Sequence, residues 1–284
     1  QVLRFAAKER DLGAPARSQR LYDLYFQNYP DHYGAAQLAT SLAAGAYKDE
    51  DYAKAIRYFT LVATVYTNST YYLTALGNLA ASYGKTGDAA QELVWLRAYA
   101  AACTRPAQKA KASLRLAYAE QQAGQNALRE AETNTADAAE LQKKGLIALV
   151  RAAKEFRTLA ALSESAQKDP TVSSGDKKDF EQMRENAVYL IGECLQRMPP
   201  QGKSDPRAMA LKAYDAYLEA YPKGKYAPVV LVKEGTIYTA QKDVPKAQEA
   251  FARLAKDFPD SDEAKNSKPR LAKALIDMGL KPEG

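Results

Sequence analysis

Apolar and small residues recur along this chain at three- and four-residue steps, the spacing of one face of an α-helix, and polar breaks cut the steps into short segments. The clearest stretch is EGTIYTAQKDVPKAQEAFARLAKDFPDS, residues 234–261. Two amphipathic helices flank QKDVP, and the Pro of the Phe-Pro pair stops the second. The predicted unit is helix A, a short turn, helix B and a proline-marked exit. This unit echoes through the chain. Leu42-Ala43, Leu79-Ala80 and Leu116-Ala117 stand 37 residues apart, as do Tyr22, Phe59 and Leu96, and Tyr25, Val62 and Tyr99. Near the C-terminus Ala210, Tyr214, Tyr217 and Pro222 are answered by Ala247, Phe251, Leu254 and Pro259. A fixed period of this length predicts an array that folds by stacking units rather than around one central core.

The small residues have a packing role. Where two antiparallel helices cross closely, Gly235 and Ala247 leave room for Tyr238 and Phe251. The order Gly235, Tyr238, Ala247, Phe251, Leu254, Pro259 resembles the tetratricopeptide repeat. The same register gives Leu42, Ala43, Tyr52, Ala55, Phe59, Val62 in one unit and Leu79, Ala80, Tyr83, Gly87, Leu96, Tyr99 in the next. Glu92 stands where the helix-B alanine belongs, and Thr67 and Thr104 replace the exit proline. The resemblance covers residues 17–124 and 187–279. It implies an all-α fold, a right-handed superhelical α-solenoid of helix pairs, closed by a solitary C-terminal capping helix in KPRLAKALIDMG. The residues before Pro15 are expected to contribute less.

The family period is about 34 residues, and the additions here follow the exits in NYPDHYGAAQ, AYPKGKYAPVV and DFPDSDEAKN. Such connections look like those of the bacterial envelope branch, which includes an outer-membrane assembly lipoprotein and a Tol-associated periplasmic coordinator. That likeness implies a periplasmic or outer-membrane-associated protein, which a lipid anchor would tether if a lipidated Cys once preceded Gln1; the sequence neither proves nor excludes export. No apolar run is long enough to span a membrane.

Between residues 126 and 185 the register fails. NALREAETNTADAAELQKKG is polar and helical in character, the following segment presents Leu149, Ala152, Phe156 and Leu159 on one face, and DPTVSSGDKKD is turn-rich. The expected organisation is an N-terminal array over 1–125, an irregular helical insertion over 126–185, and C-terminal pairs with the cap over 186–284. Within the last part, helices are predicted over 178–197 and 206–221, joined by MPPQGKSDP.

Composition narrows the function. The net charge is +6, but 40 basic and 34 acidic residues are interspersed, so no basic stripe marks a nucleic-acid partner. Cys103 and Cys194 lie in apolar helical contexts and read as buried thiols. His32 is the only histidine and follows a Tyr-Pro turn without a ligating or nucleophilic neighbour. GKTGD at 84–88 lacks P-loop spacing, and Asp49-Glu50-Asp51 read as a turn whose acids cap the next helix. No catalytic set, metal or cofactor is expected. Most of the 19 tyrosines fall at core or exit positions of the repeat.

In the family, helix A lines the concave groove with its second, fifth, sixth, ninth and twelfth positions. Carried over, these are Gln37, Thr40, Ser41 and Tyr47, then Thr74, Asn78 and, one step on, Lys85, and then Lys111, Arg115, Tyr118 and Gln121. The set is polar with two aromatics and a basic end, suited to a protein or peptide partner with acidic character. Thr74 precedes Asn78 where the chaperone-binding subfamily has Lys, so that carboxylate clamp is absent. The resemblance implies a non-catalytic interaction scaffold, with the soluble accessory of a transporter or a small-ligand binder as the alternative.

Overall fold

The computed structural model describes residues 1–198 and 205–267, and among these every regular element is an α-helix. Two compact units divide the chain, the first over Gln1–Ala102 and the second from Cys103 onward. In each, helices pack antiparallel in pairs and each pair stacks on the next, so the expected all-α solenoid of helix pairs is what the chain forms.

The first unit holds α1 (Val2–Asp11), α2 (Pro15–Asn28), α3 (Ala35–Lys48), α4 (Tyr52–Val65), α5 (Tyr72–Thr86) and α6 (Ala89–Ala102). Its core joins Tyr22, Tyr25 and Phe26 of α2 to Tyr58, Phe59 and Val62 of α4 and Leu76 and Leu79 of α5. The segment before Pro15 does more than expected. It forms α1, buries Ala6, and completes a first pair with α2. Helix α2 is tied to α4 by Asp23–Arg57 at 2.7 Å and by the Phe26–Tyr58 ring contact.

The short turns repeat with the same period as the core. Gly13, Glu50 and Gly87 all have positive φ, at 73°, 61° and 79°, and Lys242 takes the same position after α11 (Ala227–Ala240) with φ 61°. Each closes helix A in a left-handed conformation, which glycine accepts freely and Glu or Lys only at a cost. The residue after three of these turns caps helix B. Asp51 accepts from the Lys54 N–H at 3.1 Å, Asp88 from Gln91 at 3.0 Å and Asp243 from Lys246 at 3.3 Å.

The second unit holds α7 (Pro106–Thr133), α8 (Ala138–Lys168), α9 (Ser174–Gln196), α10 (Pro206–Ala220), α11, α12 (Val244–Asp257) and α13 (Asp262–Lys265). The segment read as an irregular insertion is a regular hairpin. Residue 126 falls inside α7 and residue 185 inside α9, so neither is a break between elements. From Ala117 to Phe156 there are 39 residues, against 16 from Gly235 to Phe251, and the excess lengthens both helices of the pair. Gly124, seven residues after Ala117, stands where Gly87 turns the chain in the preceding repeat. Here it stays helical and lets α7 cross α8 at Gly145. A Cβ on Gly124 would meet Gly145 O at 3.0 Å and Leu149 Cγ at 2.9 Å. The turn moves to residues 134–137. The loop before α9 is likewise shorter than DPTVSSGDKKD implied, because the Ser173 hydroxyl accepts from the Asp176 N–H and starts the helix there.

The small-for-large exchange at helix crossings holds in this unit. A Cβ on Gly235 would meet the Phe251 ring at 2.7 Å, and one on Gly192 would overlap the Tyr214 ring. The expected capping helix lies outside the described residues, as do residues 199–204 of the α9–α10 join.

Candidate partner-binding surface

The eleven groove residues read from the sequence fall seven in the first unit and four in the second, and half-buried Thr40 donates to the Ala36 carbonyl at 2.8 Å. Gln37, Ser41 and Thr74 are exposed, Asn78 is half-buried, and Lys85 is exposed in the last turn of α5. Tyr47 is half-buried with its ring edge-on to Tyr52, 5.4 Å between centroids, so it buttresses the α3–α4 turn. On α7, Lys111 is exposed, lies 3.9 Å from Asp176 of α9, and stands over the Phe180 ring. Arg115 is half-buried, and Tyr118 packs edge-on against Phe156 while remaining 42% exposed.

Gln121 is a correction. It is buried, and its amide nitrogen points at the Cys194 sulfur, 3.6 Å away across the α7–α9 contact. Cys194, near the end of α9, covers this position of α7. Both cysteines are buried thiols outside any disulfide, and burial pushes the Cys194 thiol up to about 12, so it stays protonated. His32 is exposed. Its Nδ1 faces the Tyr25 hydroxyl at 2.8 Å and accepts from the Gly34 N–H at 3.2 Å, which pins the turn between the first two pairs.

A concavity on a helix-A face lies in the second unit, between α9, α11 and α13. Its volume is about 390 Å³. Val229, Val232, Lys233 and Thr236 of α11 line it, at the second, fifth, sixth and ninth positions of that helix when Gly235 is counted as the eighth. Gln196 stands at the twelfth position of α9, counted from Gly192. Asp262, Glu263 and Asn266 form the α13 wall.

A buried polar network fixes the inner wall of this notch. Glu193 is 8% exposed and takes the Lys233 ammonium at 2.5 Å, with Arg197 at 3.7 Å. The fully buried Tyr214 hydroxyl lies 2.9 Å from Glu193 Oε1 and 2.7 Å from Gln196 Oε1. Burial and the Glu193 carboxylate push that phenol well above its ordinary range, so it remains a donor. With its charge engaged, Lys233 is held in place rather than free to sweep the surface. Beside the notch, Tyr189 stacks on Tyr226 with centroids 4.3 Å apart, and the Tyr226 hydroxyl donates to Asn186 at 2.9 Å.

The arrangement offers apolar contact from valines, amide and hydroxyl groups from Gln196, Asn266 and Thr236, one pinned cation and two rim carboxylates. The sequence held the signal, because counting helix-A positions from Gly192 and Gly235 names five of these residues. That count ended at the third repeat, so the notch went unread. Among the described residues no three His, Cys, Asp or Glu side chains converge as metal ligands. No helix among them is long and apolar enough to cross a membrane.

Comparison with known proteins agrees on the repeat. A sequence model of the tetratricopeptide repeat family matches residues 230–261, which run from α11 through α12. No curated protein matches the chain. Among solved structures, the chain is similar to the assembly chaperone of RpL4 (Acl4, residues 1–338), at 14% identity and a TM-score of 0.43 over 86% of this chain and 85% of that one. It is also similar to the P58(IPK) TPR domain, at 14% identity and a TM-score of 0.29 over 98% of this chain and 76% of that one. Neither likeness carries a functional argument.

Proposed function

We propose that this chain is a non-catalytic interaction scaffold that holds a protein or peptide partner on its helix-A faces, with the α9–α11–α13 notch as the principal anchor. The observation that carries the reading is the coincidence of register and cavity. Positions that the repeat directs toward a partner line this helix-A concavity, and Glu193, Tyr214 and Lys233 are locked together in its wall. A preorganised surface spares a partner the cost of ordering it.

On α7, Lys111, Arg115 and Tyr118 extend the surface and would take acidic residues of the partner, the Lys111–Asp176 contact being exposed and easily exchanged. Gln37, Ser41, Tyr47, Thr74, Asn78 and Lys85 are the corresponding candidates of the first unit. The 37-residue spacing and the Tyr-Pro exits support assigning the scaffold to a bacterial envelope assembly, periplasmic or outer-membrane-associated. Fractionation of cells expressing the full-length gene product tests that assignment, and recovery in the cytosol would refute it.

The binding claim is tested with peptides selected from a display library on the intact chain. Thr236 is exposed, so Thr236→Arg fills the notch without disturbing the core. It should weaken the selected peptides at least about tenfold, the equivalent of about 1.4 kcal/mol, at unchanged thermal stability. Undiminished binding would place the partner elsewhere.

A further inference from the structure

Helix α11 carries a carboxylate where the other repeats carry an aliphatic side chain. The residue before the small helix-A position is Leu42, Leu79, Leu116 and Ile191 in four other pairs, and Glu234 here. Glu234 is 6% exposed, and its Oε1 is completely buried with no hydrogen-bond partner. It lies in the wall of a cavity of about 220 Å³ between α10, α11 and α12, away from the notch described above. Leu231 and Ala250 supply apolar surface, and Asp215, Tyr238 and Glu249 bring polar groups to the same cavity.

The two cations lining it are engaged by acids of their own helix or its cap. Lys246 is 3.3 Å from Asp243 and lies over the Tyr238 ring, and Arg253 is 3.5 Å from Asp257. Three carboxyl groups, Asp215, Glu234 and Glu249, share the cavity with these two cations, whose ion pairs are exposed. A buried carboxylate without a partner is unfavourable, and either a proton or an incoming cation can relieve it.

We propose that this cavity receives a primary ammonium group, which donates to Glu234 Oε1 and to the Asp215 carboxylate. The single unpartnered oxygen suits a compact three-donor head better than the planar fork of a guanidinium, which needs a paired acceptor. No three-ligand set for a metal converges among the described residues, and Leu231 and Ala250 offer apolar surface to an alkyl stem. The same chemistry is carried by a lysine side chain of a partner or by a free polyamine.

Binding is linked to a proton. Burial, followed by the Asp215 carboxylate, raises Glu234 to about 8, against the lowering effect of Arg253, so at neutral pH the entering ammonium displaces a proton. Isothermal titration of the intact chain with n-butylamine, Nα-acetyl-lysine methylamide and spermidine, each in two buffers of different ionisation enthalpy, tests this. The expected result is millimolar binding with release of nearly one proton at pH 7, about eightfold tighter at pH 8.5. Glu234→Gln, which keeps the shape, should abolish both binding and proton release. Tighter capture of the lysine amide assigns the site to a partner's side chain, and tighter capture of spermidine assigns it to a free polyamine. The proposal is overturned if no amine binds, or if Glu234→Gln binds amines as the wild type does.

Discussion

Gly192→Ala tests the packing rule on which each pair depends. A Cβ at this position would stand 2.5 Å from Tyr214 Cδ1 and 2.9 Å from Cζ, and would overlap Cε1 outright. Non-bonded carbons rest at about 3.5–4.0 Å, so the ring would have to move by roughly an ångström. It has nowhere to go, being fully buried with its hydroxyl held by Glu193 and Gln196. Overpacking costs about 1–3 kcal/mol, and pulling the hydroxyl off a buried carboxylate adds about 1–3 kcal/mol. The helix-propensity gain of Ala over Gly returns about 1 kcal/mol. The net expectation is a loss of about 1–5 kcal/mol, read as a lower urea midpoint at unchanged m-value. Gly175→Ala is the control, since its Cβ would meet only Ser173 Oγ at 4.0 Å, and it should be neutral or slightly stabilising. Tyr214→Leu should relieve the clash, so the double variant loses less than the sum of the two singles. If Gly192→Ala is as stable as the wild type, the ring is not seated on this glycine and the small-for-large exchange is wrong.

Glu50→Gly and Lys242→Gly remove a side chain from left-handed backbone and should each raise stability by up to about 1 kcal/mol, whereas Gly87→Ala should lower it, all by thermal melts. Asp88→Ala removes the cap on the Gln91 N–H and should cost about 1 kcal/mol in urea unfolding. Glu234 binds its proton more tightly folded, at about 8, than unfolded, where the ordinary value is 4.5. Its contribution to stability is therefore full below about pH 4.5 and lost as the pH rises through about 8. Glu234→Leu should flatten the fall, which is worth at most about 5 kcal/mol, in urea midpoints taken at pH 5, 7 and 9; an unchanged slope would refute it.

Much of the fold was legible because the repeat writes itself into residue types. Ala43 and Ala80, Phe59 and Leu96, and the acids at 51 and 88 recur at the spacing that stacking demands. The hairpin of α7 and α8 was legible in part: Ala152, Phe156 and Leu159 have helix-B spacing and imply a lengthened first helix, but Gly124 in isolation has the properties of the turn glycine it matches in register. Only the facing Gly145 on α8 makes it a crossing point instead. Gln121 illustrates a second limit. A helix-A position points toward a partner or toward the neighbouring helix A according to how closely that helix packs, and Cys194 of α9 covers this one. The notch was within reach of the register, yet its α13 wall is a single turn with no repeat signature.

Hydrogen–deuterium exchange of the intact chain, with and without a library-selected peptide, tests the central claim most directly. The account predicts protection concentrated in residues 229–236 of α11, the end of α9 and α13, with α10 and α12 unchanged, and loss of that protection in Thr236→Arg. Protection confined to α10 and α12, or surviving Thr236→Arg, would contradict it.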